Sequence, residues 1–279
     1  MNGLWRAINS GYLLTAALLF SASGYADPES DRASLREFYT KRFAAVPLED
    51  HKDGAYALDA ETRAQWQELE EFPLYEIAVD TGAELFAEPF ADGAGYADCF
   101  GEPAVKQRYP SFDAERGQVV TLEVAINDCR AEHGEPVYAY TDPALASLLA
   151  YMAFESRGKT IDVAVPTQGA ARAAYEQGKQ FYASRRGNLN FACGSCHVQM
   201  VGNMLRGDRL SASLGHVSHW PVYRLKWQEV GGLHRRFQEC NSQVGAVAFE
   251  LQSEEYRNLE FFLSYLSNGL PLNGPATRK

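Results

Sequence analysis

The sequence lacks an excess of basic residues, because 26 lysines and arginines are outnumbered by 36 aspartates and glutamates. The resulting formal charge of −10 argues against a nucleic-acid-binding protein, whose usual feature is a basic patch. After residue 26 the sequence also lacks an apolar run long enough to cross a bilayer as a helix. Its 12 prolines and 23 glycines are spread along 279 residues, which excludes collagen-like and linker classes. We therefore expect a globular protein with no nucleic-acid partner and no membrane span in the mature chain.

Residues 1–26 have the features of a secretory signal peptide. Arg6 precedes an apolar stretch over residues 11–20, and Ala26 is a small residue suited to cleavage. The apolar stretch is shorter than the roughly 20 residues that a spanning helix needs. We expect the mature chain to begin at Asp27 and to reside in the periplasm, where disulfides form.

The five cysteines are odd in number, so pairing alone cannot account for them. Cys193, Cys196 and His197 spell Cys-x-x-Cys-His, the attachment motif for c-type haem. Two thiols on one turn reach the two vinyl groups of the porphyrin, and the adjacent imidazole becomes the proximal ligand of the iron. A thioredoxin-like pair gives no reason for His197, and a structural zinc ion needs two further ligands. The motif therefore predicts covalently bound haem c.

Helical patterns lie on both sides of this motif. Upstream, residues 171–182 place Gly178, Phe181 and Tyr182 at the spacing of one helix face. Downstream, an apolar stripe at steps of three and four residues predicts an amphipathic helix that packs on its own domain. The predicted fold class is therefore mainly α, with a cytochrome c-like domain. The stripe consists of Tyr256, Leu259, Phe262, Leu263 and Leu266.

The chain contains two copies of one longer pattern. In each copy an aromatic–proline pair precedes a cysteine at the same spacing, and a glycine precedes another cysteine at nearly the same spacing. This order indicates a tandem duplication of one cytochrome c-like domain, with a first half at residues 27–158 and a second half at residues 159–279. The first copy comprises Gly82, Cys99, Tyr109 and Cys129, and the second comprises Gly178, Cys196, Trp220 and Cys240.

The first half lacks the second cysteine and the histidine of the haem motif. Cys99 takes the corresponding position, but the segment from Cys99 to Tyr109 is less than half as long as that from Cys196 to Trp220. We therefore expect the first half to have lost its haem, which leaves one haem c per chain. If the halves superpose, Cys99 and Cys129 face each other across the vacated pocket, where a disulfide would close a loop of about 30 residues.

By the same superposition Cys240 faces the haem of the second half and is the favoured sixth ligand. Met200 follows the proximal histidine too closely in sequence and Met204 is only slightly better placed, whereas His216 and His219 stay open as bis-histidine ligands. A thiolate ligand lowers the potential of the iron, which favours sulfur chemistry over general electron transfer. The other candidate ligands are Met200, Met204, His216, His219 and His234.

The chain resembles the SoxA family, the catalytic subunits of the SoxAX cytochromes that oxidise thiosulfate. The resemblance covers essentially all of the mature chain. It is carried by residues 193–197, 202–211, 220–223, 234–240 and 259–275. Some family members have two haems and others have one. Because the first half lacks a haem motif, the chain resembles the single-haem type with a disulfide in place of the other haem.

The resemblance implies a role for each site residue. Cys193 and Cys196 would carry the haem, His197 would be the proximal ligand, and Cys240 would be both distal ligand and catalytic residue, which in the family is commonly a persulfide. Arg236 matches the active-site arginine of the family, and positions i and i+4 share a helix face. Its permanent charge would stabilise a thiolate and bind the oxygens of thiosulfate.

The implied reaction joins thiosulfate oxidatively to a cysteine of SoxY, in the carrier protein SoxYZ. The SoxX cytochrome would form a heterodimer with the chain, accept the electrons and complete the active site. Two other interpretations stay open: a plain electron-transfer c-type cytochrome with a histidine distal ligand, and a docking subunit with a vestigial haem. The ligand set of the iron separates the enzyme from the first, and turnover with a carrier cysteine separates it from the second.

Overall fold

The structure is a computed structural model that describes residues 27–165 and 168–279. The predicted signal peptide lies outside the described residues. Helices dominate, as the sequence predicts, and two segments, Leu48–Ala57 and Lys106–Arg108, are 3₁₀-helical. The α-helices are α1 (Pro28–Arg42), α2 (Ala60–Glu70), α3 (Glu76–Ala87), α4 (Tyr96–Phe100), α5 (Leu122–Glu132), α6 (Pro143–Glu155), α7 (Gly169–Ala183), α8 (Leu233–Gln243) and α9 (Glu254–Leu266).

The strands are short and form small sheets between the helices. They are β1 (Ser111–Asp113), β2 (Gln118–Val120), β3 (Met204–Leu205), β4 (Asp208–Arg209), β5 (Val222–Arg224), β6 (Glu229–Gly231) and β7 (Ala276–Arg278). Two antiparallel hairpins pair β1 with β2 and β3 with β4. The third sheet has the order β6-β5-β7, in which β6 runs antiparallel and β7 parallel to β5.

A run of elements recurs at a constant offset along the chain. The strands β1 and β2 and the helices α5 and α6 begin at residues 111, 118, 122 and 143, and β5, β6, α8 and α9 begin at 222, 229, 233 and 254. Cys129 in α5 and Cys240 in α8 have the same offset. This repetition confirms the predicted fold class, a mainly α protein built by duplication of a cytochrome c-like domain.

Both halves contain one unusually close helix crossing. A Cβ atom at Gly82 of α3 would lie 2.0 Å from the carbonyl oxygen of Ser147 in α6, and a Cβ at Gly178 of α7 would lie 2.0 Å from that of Asn258 in α9. Either substitution would force the two helices apart. The repeated glycine noticed in the sequence thus permits the main helix packing of each half.

The N-terminal segment packs on the second half of the chain. Tyr39 of α1 is fully buried, and its hydroxyl donates a hydrogen bond to the carbonyl of His197. Lys179 of α7 forms an ion pair with Asp31 of α1, with 2.6 Å between nitrogen and oxygen. In the 3₁₀ segment, the carbonyl of Lys52 accepts a hydrogen bond from a serine of the second half at 2.7 Å. Residues 28–57 therefore pack on the second half beside the haem motif, although in sequence they belong to the first half.

Each half has its own apolar core. Tyr96, Ile126 and Leu148 are buried in the first half, and Tyr175 and Leu259 are buried in the second. Burying one such side chain stabilises the fold by about 1.5–3 kcal/mol. Within residues 27–165 and 168–279, no helix combines the length and the apolarity that crossing a membrane would require.

Candidate haem site

The Cys-x-x-Cys-His motif forms a compact turn after α7. Ser195–Gln199 is a π-helical turn, and the side chain of Ser195 accepts a hydrogen bond from the backbone of Ala192 at 3.2 Å. Cys193 and Cys196 are half-buried and are not joined to each other. Burial, with a contribution from the nearby Cys240, raises the pKa of the Cys193 thiol to about 12. Both thiols are therefore available on one turn for thioether bonds.

His197 is held in one orientation. Its Nδ1 lies 2.9 Å from the carbonyl oxygen of Ser211, so Nδ1–H donates and Nε2 keeps its lone pair. The backbone carbonyl of His197 accepts hydrogen bonds from Tyr39 and from the amide of Ser213, the latter at 3.1 Å. Burial lowers the pKa of His197 to about 4, which keeps the ring neutral. A neutral imidazole with a fixed Nδ1–H is the form that ligates iron.

Cys240 lies on α8, on the face that also carries Arg236. Leu233, His234, Phe237 and Asn241 of the same helix are buried. Burial of Arg236 opposes its charge, but the neighbouring Cys240 and a carboxylate outweigh that effect and raise the pKa of the guanidinium. Cys240 also contributes to the raised pKa values of both motif cysteines, after burial. The structure thus brings Cys240, Arg236 and the haem motif into one site.

Glu239 is a site residue that the sequence did not single out. One carboxylate oxygen accepts hydrogen bonds from Arg224 and Arg236, each at 2.9 Å. The other accepts from Trp227 at 2.8 Å and from Lys226 at 3.0 Å. Although burial opposes it, this set of donors lowers the pKa of Glu239 to about 2. Glu239 therefore stays ionised and fixes two arginines beside Cys240.

The repeat contained a signal for this carboxylate. At the offset that relates the two halves, Glu239 corresponds to Asp128, which directly precedes Cys129. Asp128 accepts a hydrogen bond from Arg116 at 2.8 Å. In both halves, therefore, an acidic residue directly precedes the cysteine, and its carboxylate accepts a hydrogen bond from a nearby arginine.

The histidine alternatives for the sixth ligand have other contacts. The rings of His216 and His197 have centroids 4.4 Å apart, which leaves no room for a porphyrin between them. His219 has its Nδ1 3.3 Å from the carbonyl of Lys52. His234 has its Nε2 3.0 Å from a carboxylate oxygen of Glu260, on the buried side of α8.

The two methionines are not placed opposite the proximal histidine either. Met200 ends the turn that carries His197, and Met204 is exposed in β3.

A cavity of about 140 Å³ lies beside His197. Buried polar atoms that face no hydrogen-bond partner among the described residues include Nδ1 of His216, Nε1 of Trp220 and both terminal nitrogens of Arg278, and all three residues line this cavity. Such atoms cost free energy unless a bound group satisfies them. The residues that would hold a haem c are the two free thiols of Cys193 and Cys196 and the neutral His197, whose Nε2 keeps its lone pair. The remaining basic lining residues are Arg209, Arg224, Arg236 and Lys279.

The first half contains a disulfide where its haem motif would lie. Cys99 and Cys129 are bonded over a sequence separation of 30 residues, as expected from the sequence. Cys99 is exposed and Cys129 is buried against α6. The cysteine of α5 thus holds its own domain together, whereas its counterpart Cys240 is a free thiol.

Fold and site together define a c-type cytochrome, a class that carries haem c. In agreement, the model of the SoxA/TsdA cytochrome c domain family matches residues 81–161. The chain is 52% identical over 277 residues to the L-cysteine S-thiosulfotransferase subunit SoxA of Allochromatium vinosum, with 96% of this chain and 99% of the relative covered. The corresponding subunit of Chlorobaculum tepidum is 48% identical over 252 residues, with 90% and 88% covered. The chain belongs to the SoxA family, as its motifs predict.

A solved structure shows the same fold. The crystal structure of SoxXA from P. pantotrophus matches with a TM-score of 0.70 and 26% sequence identity, over 77% of this chain and 84% of that chain. The cytochrome c-like fold is therefore shared over most of the chain.

Proposed function

We propose that the chain is the catalytic subunit of a thiosulfate-oxidising cytochrome complex, with L-cysteine S-thiosulfotransferase activity towards the carrier protein SoxYZ. The observation that carries this proposal is the pairing of Cys240 with Arg236 on the face of α8 that approaches Cys193 and Cys196. A half-buried arginine beside a free cysteine suits sulfur transfer from a dianionic substrate. A plain electron carrier has no use for either residue.

In this proposal Cys193 and Cys196 attach a single haem c, His197 is its proximal ligand, and Cys240 is its distal ligand. The haem, once bound, supplies the one-electron redox chemistry that the reaction needs. The orientation of His197 by Ser211 supports its role, because an Nδ1–H bond to a carbonyl fixes the tautomer and makes Nε2 more basic. The disulfide of the first half supports the count of one haem, because Cys99 is already bonded.

The reaction has two steps in which atoms and electrons balance. First, the terminal sulfur of thiosulfate bonds to the thiolate sulfur of Cys240, and two electrons leave the site for the partner cytochrome. Second, the cysteine thiolate of SoxY attacks that terminal sulfur, and the Cys240 thiolate leaves. Arg236 holds the sulfonate oxygens in the first step and stabilises the departing thiolate in the second.

The electrons pass to SoxX, which we propose forms a heterodimer with this chain in the periplasm. The solved SoxXA relative supports this partner. We also propose the domain division at residues 27–158 and 159–279, because the repeated elements fall on either side of it. In space, residues 28–57 accompany the second domain.

The variant Cys240→Met tests the proposal. Haem should stay attached, since the two attaching cysteines and the proximal histidine remain. The midpoint potential should rise, because a neutral thioether replaces a charged thiolate. Conjugation of thiosulfate to SoxYZ, measured by mass spectrometry of SoxY with SoxX present, should be lost. Pyridine haemochrome quantitation should give one haem per chain in both proteins.

Two results would contradict the proposal. Wild-type conjugation by Cys240→Met would show that the reaction does not use this sulfur, and the electron-carrier interpretation would replace it. Two haems per chain would show that the first half binds haem as well. Mass spectrometry of the Cys240 peptide tests in addition for the extra sulfur of a persulfide.

A further inference from the structure

The two halves of the chain pack on each other in a reciprocal way. Val119 of β2, in the first half, lies in the apolar core of the second half. Its counterpart in the repeat, Val230 of β6, packs on the cluster around Ala150 of the first half. Phe112 and Tyr223 are exchanged between the halves in the same manner. The helices that follow these strands, α5 and α8, therefore begin close to the junction of the two halves.

A cavity of about 310 Å³ lies at this junction. Its lining includes Glu123 from the first turn of α5 and His234 from the first turn of α8, which occupy matching positions in the two repeats. Leu145 and Leu149 of α6 and Val230 of β6 contribute apolar walls. A carboxyl group and an imidazole from different halves therefore share one cavity between them.

Its contacts define His234 as a neutral ring. Nδ1 accepts a hydrogen bond from the backbone amide of Gln252 at 3.2 Å, so the proton of the ring is on Nε2. Nε2 lies 3.0 Å from a carboxylate oxygen of Glu260 in α9, and both side chains are buried. Although burial opposes it, the proximity of His234 lowers the pKa of Glu260. Glu260 therefore carries a negative charge inside the protein.

Glu123 is the second carboxyl group at this junction. One of its oxygens lies so close to the N-cap of α8 that a Cβ atom at Gly232 would be 2.8 Å from it. Burial, and after it the charge of Glu260, raise the pKa of Glu123 above its ordinary value of 4.5. Two ionised carboxylates beside one neutral imidazole would repel each other in this apolar surrounding. Glu123 is therefore the carboxyl group that holds a proton.

The other titratable groups that face this carboxyl come from several elements. Lys106, in the second 3₁₀ segment, favours ionisation of both carboxyls. Tyr140 and Asp142, from the segment before α6, line the cavity. Arg235 of α8 lines it too, but pairs with Glu229 at 2.6 Å. Since Arg235 is paired and Lys106 acts on both carboxyls, neither is a counter-ion for this one alone.

Helix α8 connects this junction to the proposed active site. His234 and Arg236 are both in its first turn, and Cys240 follows one turn later. We propose that Glu123 is a positioning residue for sulfur transfer, whose uncharged carboxyl supports the first turn of α8 and so holds Arg236 beside Cys240. When Glu123 ionises, repulsion from Glu260 and the water that a buried charge requires displace this turn. The inference rests on the function proposed above for Cys240 and Arg236.

The test compares Glu123→Gln with the wild type, each in complex with SoxX, from about pH 6 to about pH 9, where buried glutamates titrate. Glutamine has the shape of the protonated acid and cannot ionise, so both proteins should have the same kcat/KM for thiosulfate at the low end. At the high end the wild-type kcat/KM should be about tenfold below that of the variant, chiefly through KM, because Arg236 binds the sulfonate. The matched control is Glu132→Gln, at an exposed position of α5, which should follow the wild type throughout.

Infrared difference spectroscopy of the same complexes gives a readout that needs no turnover. A protonated carboxyl group absorbs apart from carboxylates, so the wild type should show a band that Glu123→Gln lacks. This band should disappear over the pH range in which the wild-type kcat/KM falls. If the band is missing at the low end of the range, Glu123 is ionised there and the proposal is overturned.

Two further results would overturn the positioning role. One is the same pH dependence of kcat/KM in the wild type and in Glu123→Gln. The other is a Glu123→Gln chain that does not fold, because the contact requires an uncharged side chain of this shape. If Glu123→Gln has no effect while Cys240→Met abolishes transfer, only the positioning role is wrong. If Cys240→Met retains transfer, the proposed function is wrong, whereas the infrared band of Glu123 is unaffected.

Discussion

At the scale of single residues, Glu239 controls the charge around Cys240. It holds Arg224 and Arg236 with one oxygen and is itself held by Trp227. One carboxylate between two arginines leaves a net positive charge beside the sulfur, which favours the approach of a dianion. It also prevents Arg236 from bending away from Cys240 into solvent. The arginine is therefore pre-organised before substrate arrives.

We predict that Arg236→Ala slows sulfur transfer by roughly 10- to 150-fold, because one charge-assisted contact contributes about 1.5–3 kcal/mol. The absorption spectrum should stay close to that of the wild type, since no haem ligand changes. Steady-state transfer to SoxYZ provides the measurement. Arg235→Ala is the matched control, as this neighbouring arginine stacks on Trp227 at 4.3 Å and pairs with Glu229. Equal slowing in both variants would refute a specific role for Arg236.

The sequence could place Arg236 and Cys240 together because the helical period alone makes positions i and i+4 neighbours. It could not identify Ser211, whose carbonyl meets His197 from a position 14 residues further along the chain, beyond the β3–β4 hairpin. It could not identify Arg278 either, because a parallel strand pairing brings the last residues of the chain to β5. Local periodicity fixes the first kind of contact, and only tertiary folding fixes the second.

At the scale of elements, the apolar stripe predicted α9, and the glycine–aromatic spacing predicted α7. Both helices bury a broad face, and this burial requires the periodic apolar residues that the sequence shows. In contrast, α1 and α2 were not predicted. Only two side chains of α1 are buried, Pro28 and Tyr39, and none of α2 is. Polar contacts hold these helices, and such contacts leave no periodic pattern in the sequence.

The close helix crossings give a prediction about packing. Gly178→Ala should lower the free energy of unfolding by about 3 kcal/mol, because the new Cβ would meet the carbonyl of Asn258. Gly82→Ala, in the first half, should lower the free energy of unfolding by a similar amount. Urea unfolding followed by circular dichroism measures both. Gly95→Ala is the control, since its backbone is extended and its Cβ would have 3.9 Å of space. If Gly178→Ala lowers the free energy of unfolding no more than the control does, the helix crossing tolerates a methyl group.

The 3₁₀ segment gives a prediction about pH. Hydrogen bonding to Arg63 at 2.9 Å lowers the pKa of Asp50 below its ordinary value of 3.8. The ion pair therefore stabilises the fold above that value, and the contribution is lost as pH falls below it. Asp50→Asn should reduce the free energy of unfolding by about 1 kcal/mol at pH 7 and by much less at pH 3. Glu49→Gln, at an exposed neighbouring position, should leave the free energy of unfolding unchanged at both pH values. A difference that persists undiminished at pH 3 would rule out this ion pair as its cause.

At the scale of the whole molecule, the same order of elements occurs twice, but the corresponding cysteines differ in state. Cys129 in the first half is in a disulfide, whereas Cys240 in the second half is a free thiol. The order of repeated residues revealed this plan in the sequence, because duplication leaves matching spacings. The packing of residues 28–57 on the second half could not be foreseen, since the N-terminal segment has no counterpart in the other repeat.

We predict that replacing both Cys99 and Cys129 by alanine lowers the free energy of unfolding by about 3–4 kcal/mol, because a loop of 30 residues is no longer closed. The haem spectrum and the rate of sulfur transfer at 25 °C should not change. Thermal unfolding and absorption spectroscopy measure the two effects. As a control, wild-type protein alkylated without reduction should carry no label on either cysteine. Loss of haem from the double variant would show that the first domain supports the haem directly.

The place of α1 has a consequence for synthesis. Its arginines bond to the carbonyl of Asn268, more than 230 residues further along the chain, and Tyr39 bonds across 158 residues to His197. Helix α1 is therefore synthesised long before its partners, and the carbonyl of Asn268 becomes available to its arginines only after α9 has been made. A chain that stops before Asn268 leaves the arginines of α1 without this carbonyl. A truncated chain therefore lacks contacts that stabilise α1 in the longer chain.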